Sequence, residues 1–117
     1  MDQEGAYLAD GRAFLSWTAV DNNQWITLGP TTRACTFPAD HIPGAVGWKI
    51  ESSGVSVVFS GDTRFNPHVA EAAQGASLLI HEAFCTDADR QSAANRGHST
   101  AGEAARVAAQ AGVAELV

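Results

Sequence analysis

The amino-acid sequence is poor in cysteine and in basic residues. Its two cysteines, Cys35 and Cys85, form no CxxC pair and no disulfide framework. Seven lysines and arginines against thirteen aspartates and glutamates give a formal net charge of −6, whereas general nucleic-acid binding needs a basic face. No apolar run approaches the roughly 20 residues of a membrane span, and the acidic start at residues 1–4 does not resemble a signal peptide. We therefore expect a cytoplasmic protein with no membrane partner and no strong intrinsic nucleic-acid-binding surface.

The sequence does contain enough apolar residues for one modest core. Of its 117 residues, 45% are hydrophobic and 17% are charged, which is ordinary for a soluble globular protein. No internal repeat, low-complexity tract or linker-like segment divides it. A chain of this length predicts a single domain, or a part of one, over residues 1–117.

The first sixty residues have the pattern of short strands separated by turns. Residues 21–23 predict a hairpin turn, and residues 52–54 predict a second one. The strand that ends at Ser60 is continuously apolar, which is typical of a strand covered on both faces. The predicted strands are 14–20, 24–28, 33–38, 46–51 and 55–60.

From residue 66 onward the pattern changes to helices separated by buried strands. Asn66 and Pro67 are typical of the N-cap and first residue of a helix, which Gly75 ends. Thr100 and Glu103 form a capping-box pattern at the start of another helix. The remaining predicted elements are a strand at 76–80, a helix at 87–96, the capped helix as far as 111, and a strand at 113–117. Alternating strands and helices predict an α/β fold.

Several polar side chains lie where predicted strands end. Asp62, His81 and Glu82 closely follow predicted strands, as does His41, and His98 lies just before the last helix. Neighbouring strands bring such ends together, and loops at strand ends are where ligands bind in α/β layers. A carboxylate combined with imidazoles suits zinc or manganese. The sequence therefore predicts a candidate metal site at these loops.

Each of these residues also has an ordinary structural explanation. Asp62 can cap the turn towards Arg64, as aspartate does in many loops. Gly61 permits a sharp turn there, and Thr63 can hydrogen-bond the carboxylate or the loop. The histidines can bind metal, transfer protons or simply bond a backbone carbonyl. No nucleophile-elbow serine, phosphate-binding glycine loop or CxxC zinc motif competes with the metal interpretation.

Four stretches, taken in order, resemble one family. They are FPADHIPGAVGWKIES (residues 37–52), SGDTR (60–64), GASLLIHEAF (75–84) and GHSTAGEAARVAAQAGVAELV (97–117). Together they resemble the C-terminal half of the metallo-β-lactamase-fold hydrolases, in the ribonuclease Z-like branch, over roughly residues 25 to 117. The resemblance implies a four-layer αβ/βα sandwich with two metal ions, expected to be zinc, in a cleft at the strand ends.

The resemblance also implies the catalytic residues. Asp62, in the loop that contains Ser60, Gly61 and Thr63, matches the ligand that bridges both metal ions. His98 matches the histidine of an HST motif that faces the scissile phosphate and helps the leaving group. The implied reaction is hydrolysis by a metal-bound hydroxide, which forms because the metals lower the pKa of a bridging water.

Three further residues are implied to lie beside the site. His81 and Glu82 match a HEAT-type loop, which in this sequence ends in Phe84 instead of threonine. His41 matches a histidine near the cleft whose role is supporting and not ligating.

Part of the family pattern lies outside residues 1–117. The sequence contains no His-x-His-x-Asp-His run, and the final Thr-His step of the family would fall beyond Val117. We therefore expect a partial domain in which Asp62 is the single expected metal ligand and which holds no dinuclear site tightly on its own. Half of a sandwich would leave an apolar sheet face uncovered, so self-association, for example as a homodimer, is expected.

The substrate is less well specified than the chemistry. The HST context of His98 favours phosphodiesters, so a small-molecule ester or RNA is the expected substrate. Ribonuclease Z proper holds precursor tRNA with a basic arm, but Arg12 and Arg33 are the only basic residues among residues 1–40. The alternatives are a hydrolase of sulfate esters, thioesters or lactones, a truncated non-catalytic half-domain that acts by association, and an unrelated small α/β binding domain.

Overall fold

The computed structural model of the chain describes residues 5–7, 14–16 and 18–117. A five-stranded sheet in the order β3-β4-β5-β6-β7 carries most of the fold, and β1 and β2 pair separately. All pairings between these seven strands are antiparallel except that of β6 with β7, which is parallel. This mixed sheet with its helices confirms the α/β class. The described elements are β1 (Gly5–Tyr7), β2 (Phe14–Ser16), β3 (Ile26–Thr27), β4 (Thr32–Pro38), β5 (Val46–Ser52), β6 (Val55–Phe59), α1 (Pro67–Ala72), β7 (Leu78–Ile80), a 3₁₀ turn (Asp87–Asp89), α2 (Arg90–Asn95) and α3 (Ala101–Ala111).

The local turn and cap signals of the sequence are confirmed. Ser53 and Gly54, both with positive φ, form the tight turn between β5 and β6. The Asn66 side chain accepts from the backbone N–H of His68, and α1 begins at Pro67. The capping box of Thr100 is complete, and a left-handed Gly112 ends α3. α1 ends at Ala72, earlier than predicted, and Gly75 lies in the turn that follows it.

The predicted hairpin around residues 21–23 is wrong. β2 ends at Ser16 and pairs with β1, residues 18–20 lie in no strand, and β3 is shorter than predicted and pairs with β4. A turn is present at residues 22–23, but it is bonded to β4: the Asn23 N–H donates to the Thr36 carbonyl (2.7 Å), and the Thr36 hydroxyl donates to the Asn22 side chain (2.8 Å). Because of these bonds, residues 22–23 lie against β4 and do not form a hairpin turn between β2 and β3.

The core lies on the helix-covered face of the sheet. Val58 of β6 and Leu79 of β7 have no solvent exposure and pack with Val69 of α1 and Val107 of α3. Side chains alternate between the faces of a strand, so Val58 and Leu79 share this face while their neighbours point the other way. Helices α1 and α3 therefore complete the core on one side.

The opposite face of the sheet is apolar and largely open, and we call it the open face. It carries Ile50 of β5 with Val55 and Phe59 of β6, which are 39%, 53% and 49% exposed. The prediction that residues 55–60 form a strand covered on both faces is therefore wrong for the described residues, among which only the helix side has a cover. The predicted uncovered apolar sheet face is present.

The last residues lie beside β7 as an incomplete strand. Leu116 forms a parallel bridge with Leu79, and the Val117 N–H donates to the Leu79 carbonyl (2.9 Å). The predicted strand at 113–117 is therefore not formed as a strand, although these residues lie along β7 through the bridge at Leu116 and neighbouring backbone hydrogen bonds. The longest helix in the described ranges has 11 residues, so none there is long enough to span a membrane.

Candidate metal centre

The candidate residues meet at one edge of the sheet. Strands β6 and β7 are parallel neighbours, so their carboxyl ends lie side by side and deliver Asp62 and Glu82 to the same edge. The loop before α3 adds His98, and ligand atoms of these three side chains lie within 4.8 Å of one another. The loop between β4 and β5 adds His41, whose Nε2 lies 3.9 Å from an Asp62 carboxylate oxygen. Four of the residues singled out from the sequence therefore form one cluster.

Glu82 is the most highly bonded member of the cluster. Its side chain is 13% exposed and accepts hydrogen bonds from the Thr63 N–H (2.6 Å), the Ser99 N–H (3.1 Å) and Nδ1 of His98 (2.9 Å). Charge-assisted bonds of this kind are stronger than neutral ones. Glu82 therefore joins the Asp62 loop to the His98 loop, and its oxygens are occupied by protein donors.

The His98 imidazole is fixed on two sides. Its Nδ1 donates to Glu82, which leaves Nε2 as the atom that can meet a ligand or substrate. One ring face stacks on Phe84, with centroids 4.8 Å apart and planes 8° from parallel. The His41 ring lies 4.9 Å away at a tilt of 48°. A ring held in this way presents one nitrogen in a set direction.

His41 is oriented by a backbone carbonyl. Its Nδ1 donates to the carbonyl of Gly97 (2.8 Å), so Nε2 faces Asp62. Gly97 has φ +81°, and a Cβ there would lie 2.6 Å from the His41 ring nitrogen. Glycine is therefore required at this position both by the backbone conformation and by the contact with His41.

Asp62 itself is free of strong protein partners. Its side chain is 64% exposed, and no hydrogen bond to its carboxylate occurs among the described residues. Gly61 positions it through a left-handed turn (φ +63°), where a Cβ would lie 2.6 Å from the Val46 carbonyl. A carboxylate held in place by its backbone and left unpaired can accept a cation.

Buried hydroxyls hold the Asp62 loop. The Ser60 hydroxyl accepts from the Glu82 N–H (3.0 Å) and donates to the Gly61 carbonyl (2.8 Å). The Thr63 hydroxyl accepts from the Asp40 N–H (2.9 Å), and the Ser99 hydroxyl donates to the Thr63 carbonyl (2.7 Å). Ser60, Thr63 and Ser99 have no solvent exposure, so all three act on the loop and not on a ligand.

His81 lies apart from this cluster. Its Nδ1 donates to the Glu82 carbonyl (2.7 Å), and its buried Nε2 has no hydrogen-bond partner among the described residues. The sequence predicts that His81 and Glu82 lie together beside the site, but the structure brings only Glu82 close to both Asp62 and His98. Because adjacent residues in an extended segment point to opposite sides, the two side chains separate.

The contacts of Ser99 and Phe84 were not found from the sequence. Ser99 donates its N–H to Glu82 and its hydroxyl to Thr63, and Phe84 stacks on His98. The position of Ser99 directly after His98 was the available signal for the first contact. The stacking of Phe84 on His98 joins residues fourteen positions apart, and no local sequence pattern predicts it.

The donor set fits a divalent metal ion. Asp62 offers an exposed carboxylate, His41 directs Nε2 towards it, and the bond to Glu82 leaves Nε2 of His98 unused. Oxygen and imidazole nitrogen ligands suit zinc and manganese. Both imidazoles bond a carbonyl or a carboxylate through Nδ1, which fixes their orientation beside Asp62.

The whole chain matches a known protein family. Residues 1–117 match the family described as the beta-lactamase superfamily domain. Ribonuclease Z of Brevibacillus brevis is 52% identical over 63 residues, which cover 54% of this chain and 20% of that protein. Mitochondrial tRNAse Z of Arabidopsis thaliana is 39% identical over 93 residues, or 70% of this chain and 10% of that protein. The chain thus spans about a fifth or less of the length of these relatives.

Solved structures show the same fold. The metallo-beta-lactamase fold protein YhfI from Bacillus subtilis superposes with a TM-score of 0.74 and 29% identity, over 85% of this chain and 40% of that one. Human tRNase Z, short form, gives a TM-score of 0.71 and 25% identity, over 79% of this chain and 37% of that one.

Proposed function

The chain belongs to the beta-lactamase superfamily domain family, and on this premise we propose that it forms part of the active site of a metal-dependent hydrolase of the ribonuclease Z type. The observation that carries the proposal is the Asp62, Glu82 and His98 cluster at the carboxyl ends of β6 and β7. The curated relatives named Ribonuclease Z, from Brevibacillus brevis and Ignicoccus hospitalis, support the class of substrate, with 52% and 48% identity over the matched residues.

The proposal concerns a complete protein of which this chain is a part. The chain covers 40% of the Bacillus subtilis fold relative and 20% of the ribonuclease Z of Brevibacillus brevis. We propose that the remaining part of the domain supplies the other metal ligands and packs on the open face. Such a division accounts for Asp62 having no strong partner within the described residues.

We assign separate roles to the residues of the cluster. Asp62 is the proposed metal ligand, and His41 lies beside it as a supporting group. When bound, a divalent ion, proposed to be zinc, acts as a Lewis acid and activates water. His98 is proposed to donate a proton to the leaving oxygen from Nε2, since Nδ1 is bonded to Glu82. Glu82 is a positioning residue, because it acts through His98 and the two loops.

The proposed substrate is a phosphodiester, with RNA favoured by the relatives' names. The net charge of −6 argues that the chain itself contributes little general attraction for RNA, so most of that binding falls to the rest of the protein. Both cysteines, Cys35 and Cys85, are free, which supports the proposed cytoplasmic location.

Replacement of Asp62 tests this function. In the complete protein, Asp62→Ala should lower zinc-dependent hydrolysis of bis(p-nitrophenyl) phosphate by at least about a hundredfold, since even residues outside the ligand set cost 10–100-fold. Asp21→Ala removes an exposed carboxylate in a turn elsewhere in the chain and should leave the rate unchanged. A near-normal rate for Asp62→Ala would remove the assignment of Asp62.

A further inference from the structure

Phe84 places an exposed aromatic ring against the candidate site. The ring is parallel to His98 at a centroid distance of 4.8 Å, yet Phe84 remains 45% exposed. The exposed part of the ring adds apolar surface next to the imidazole.

Arg96 places a positive charge over this ring. Its guanidinium carbon lies 5.8 Å from the Phe84 centroid, and its side chain is exposed. Arg96 forms no ion pair with any carboxylate in the part of the chain that the structure describes. An aromatic ring can stack with a nucleotide base, and a guanidinium without an ion-pair partner can bind the phosphate of that nucleotide or its neighbour.

We propose that Phe84 and Arg96 form a nucleotide subsite next to His98. The base of the nucleotide adjoining the scissile phosphate stacks on Phe84, and Arg96 binds a neighbouring phosphate. This inference rests on the proposed function, because it requires a nucleic-acid phosphodiester as the substrate. Since every base has a flat π surface, the subsite accepts all four bases and selects nucleotides over esters that lack a base.

A second pair in the chain provides a matched control. Phe65 is 41% exposed, and the guanidinium carbon of Arg106 lies 5.7 Å from its ring centroid. Phe65 borders a groove between α1 and α3 that Gln74 and Gln110 also line. The two pairs therefore match in exposure and geometry, but Phe84 stacks on His98 whereas Phe65 lies outside the cluster.

The test compares two RNA oligonucleotides in the complete protein. They share one sequence and differ only in carrying a base or an abasic ribose next to the cleaved bond. The ratio of their kcat/KM values should be about ten in the wild type, fall to about one in Phe84→Leu, and stay at the wild-type value in Phe65→Leu. The ratio cancels any effect of Phe84 on His98, because such an effect is common to both oligonucleotides.

Each outcome has a distinct meaning. A ratio near one in the wild type, or an unchanged ratio in Phe84→Leu, overturns the subsite while the proposed function stands. If the wild type cleaves neither oligonucleotide, the proposed function fails and the subsite fails with it. Arg96→Gln should raise KM for both oligonucleotides by similar factors, since the phosphate is common to them, and an unchanged KM removes Arg96 from the subsite.

Discussion

The two faces of the five-stranded sheet use the same strands and differ in what covers them. On the helix face, Val58 and Leu79 are fully buried against α1 and α3. On the open face, Ile50, Val55 and Phe59 are 39–53% exposed although they are equally apolar. A strand that is apolar on both faces is typical of a sheet that is covered on both sides. The chain supplies the cover for one face, and we attribute the other cover to the remaining part of the domain.

The candidate site depends on the covered face for its geometry. Glu82 follows β7, and it bonds His98 and the Ser99 N–H just before α3. The elements that carry these residues are packed in the helix-side core. The positions of Asp62, Glu82 and His98 can therefore be set within this chain.

The largest expected effect is on the free energy of unfolding, and it compares Leu79 with its neighbour Leu78 in β7. Leu79→Ala removes a fully buried side chain from the helix-side core and should lower the free energy of unfolding by about 3 kcal/mol. Leu78 lies next to it in β7 and points to the open face, so Leu78→Ala should cost about 1 kcal/mol or less in the isolated chain. Urea unfolding measures both, and equal losses would contradict the difference between the faces.

A smaller effect tests what covers the open face. Phe59→Ser should change the unfolding free energy of the 117-residue chain by less than about 0.5 kcal/mol, because this side chain is half exposed. In the complete protein the same change should cost about 2 kcal/mol, because the ring is proposed to be buried there. The substitution should also reduce self-association of the short chain in sedimentation experiments. An unchanged stability of the complete protein would show that the open face is not its internal interface.

The smallest expected effect is on the pH dependence of stability, to which the carboxylate of Asp87 contributes. The hydrogen bond from Thr100 holds the pKa of Asp87 below its ordinary value of 3.8, and Arg90 lowers this pKa further, while desolvation opposes both. Because the folded pKa is depressed, ionised Asp87 contributes stability above about pH 4, and this contribution is lost as the pH falls through the folded value. Thermal unfolding from pH 6 to pH 2.5 should therefore show a weaker acid dependence for Asp87→Asn than for the wild type. Identical pH profiles would contradict this contribution.

The sequence was most informative where structure is determined locally. Asn66 with Pro67, Thr100 with Glu103, and Ser53 with Gly54 each involve residues within three positions, and all three signals are present in the structure as predicted. Cap and turn geometry depends on short-range hydrogen bonds and on φ, so a single sequence is enough to recognise it.

Pairing and burial were predicted less well because they depend on distant residues. The turn at 22–23 could not reveal that Asn23 bonds Thr36. The apolar run at 55–60 could not reveal that the described residues cover only one of its faces. Within the site, motifs located Asp62, Glu82 and His98. The three bonds of Glu82 and the stacking of Phe84 on His98 follow from tertiary contacts, and the motifs gave no indication of them.

The most direct test of the account is the metal content of the complete protein, its Asp62→Ala variant and the 117-residue chain, measured after equilibration with zinc and buffer exchange. The account predicts about two ions in the complete protein, fewer in Asp62→Ala, and none retained by the short chain, because one carboxylate with its neighbouring imidazoles does not replace a full ligand set. Retention of both ions by Asp62→Ala, or a short chain that holds metal and hydrolyses bis(p-nitrophenyl) phosphate alone, would contradict it.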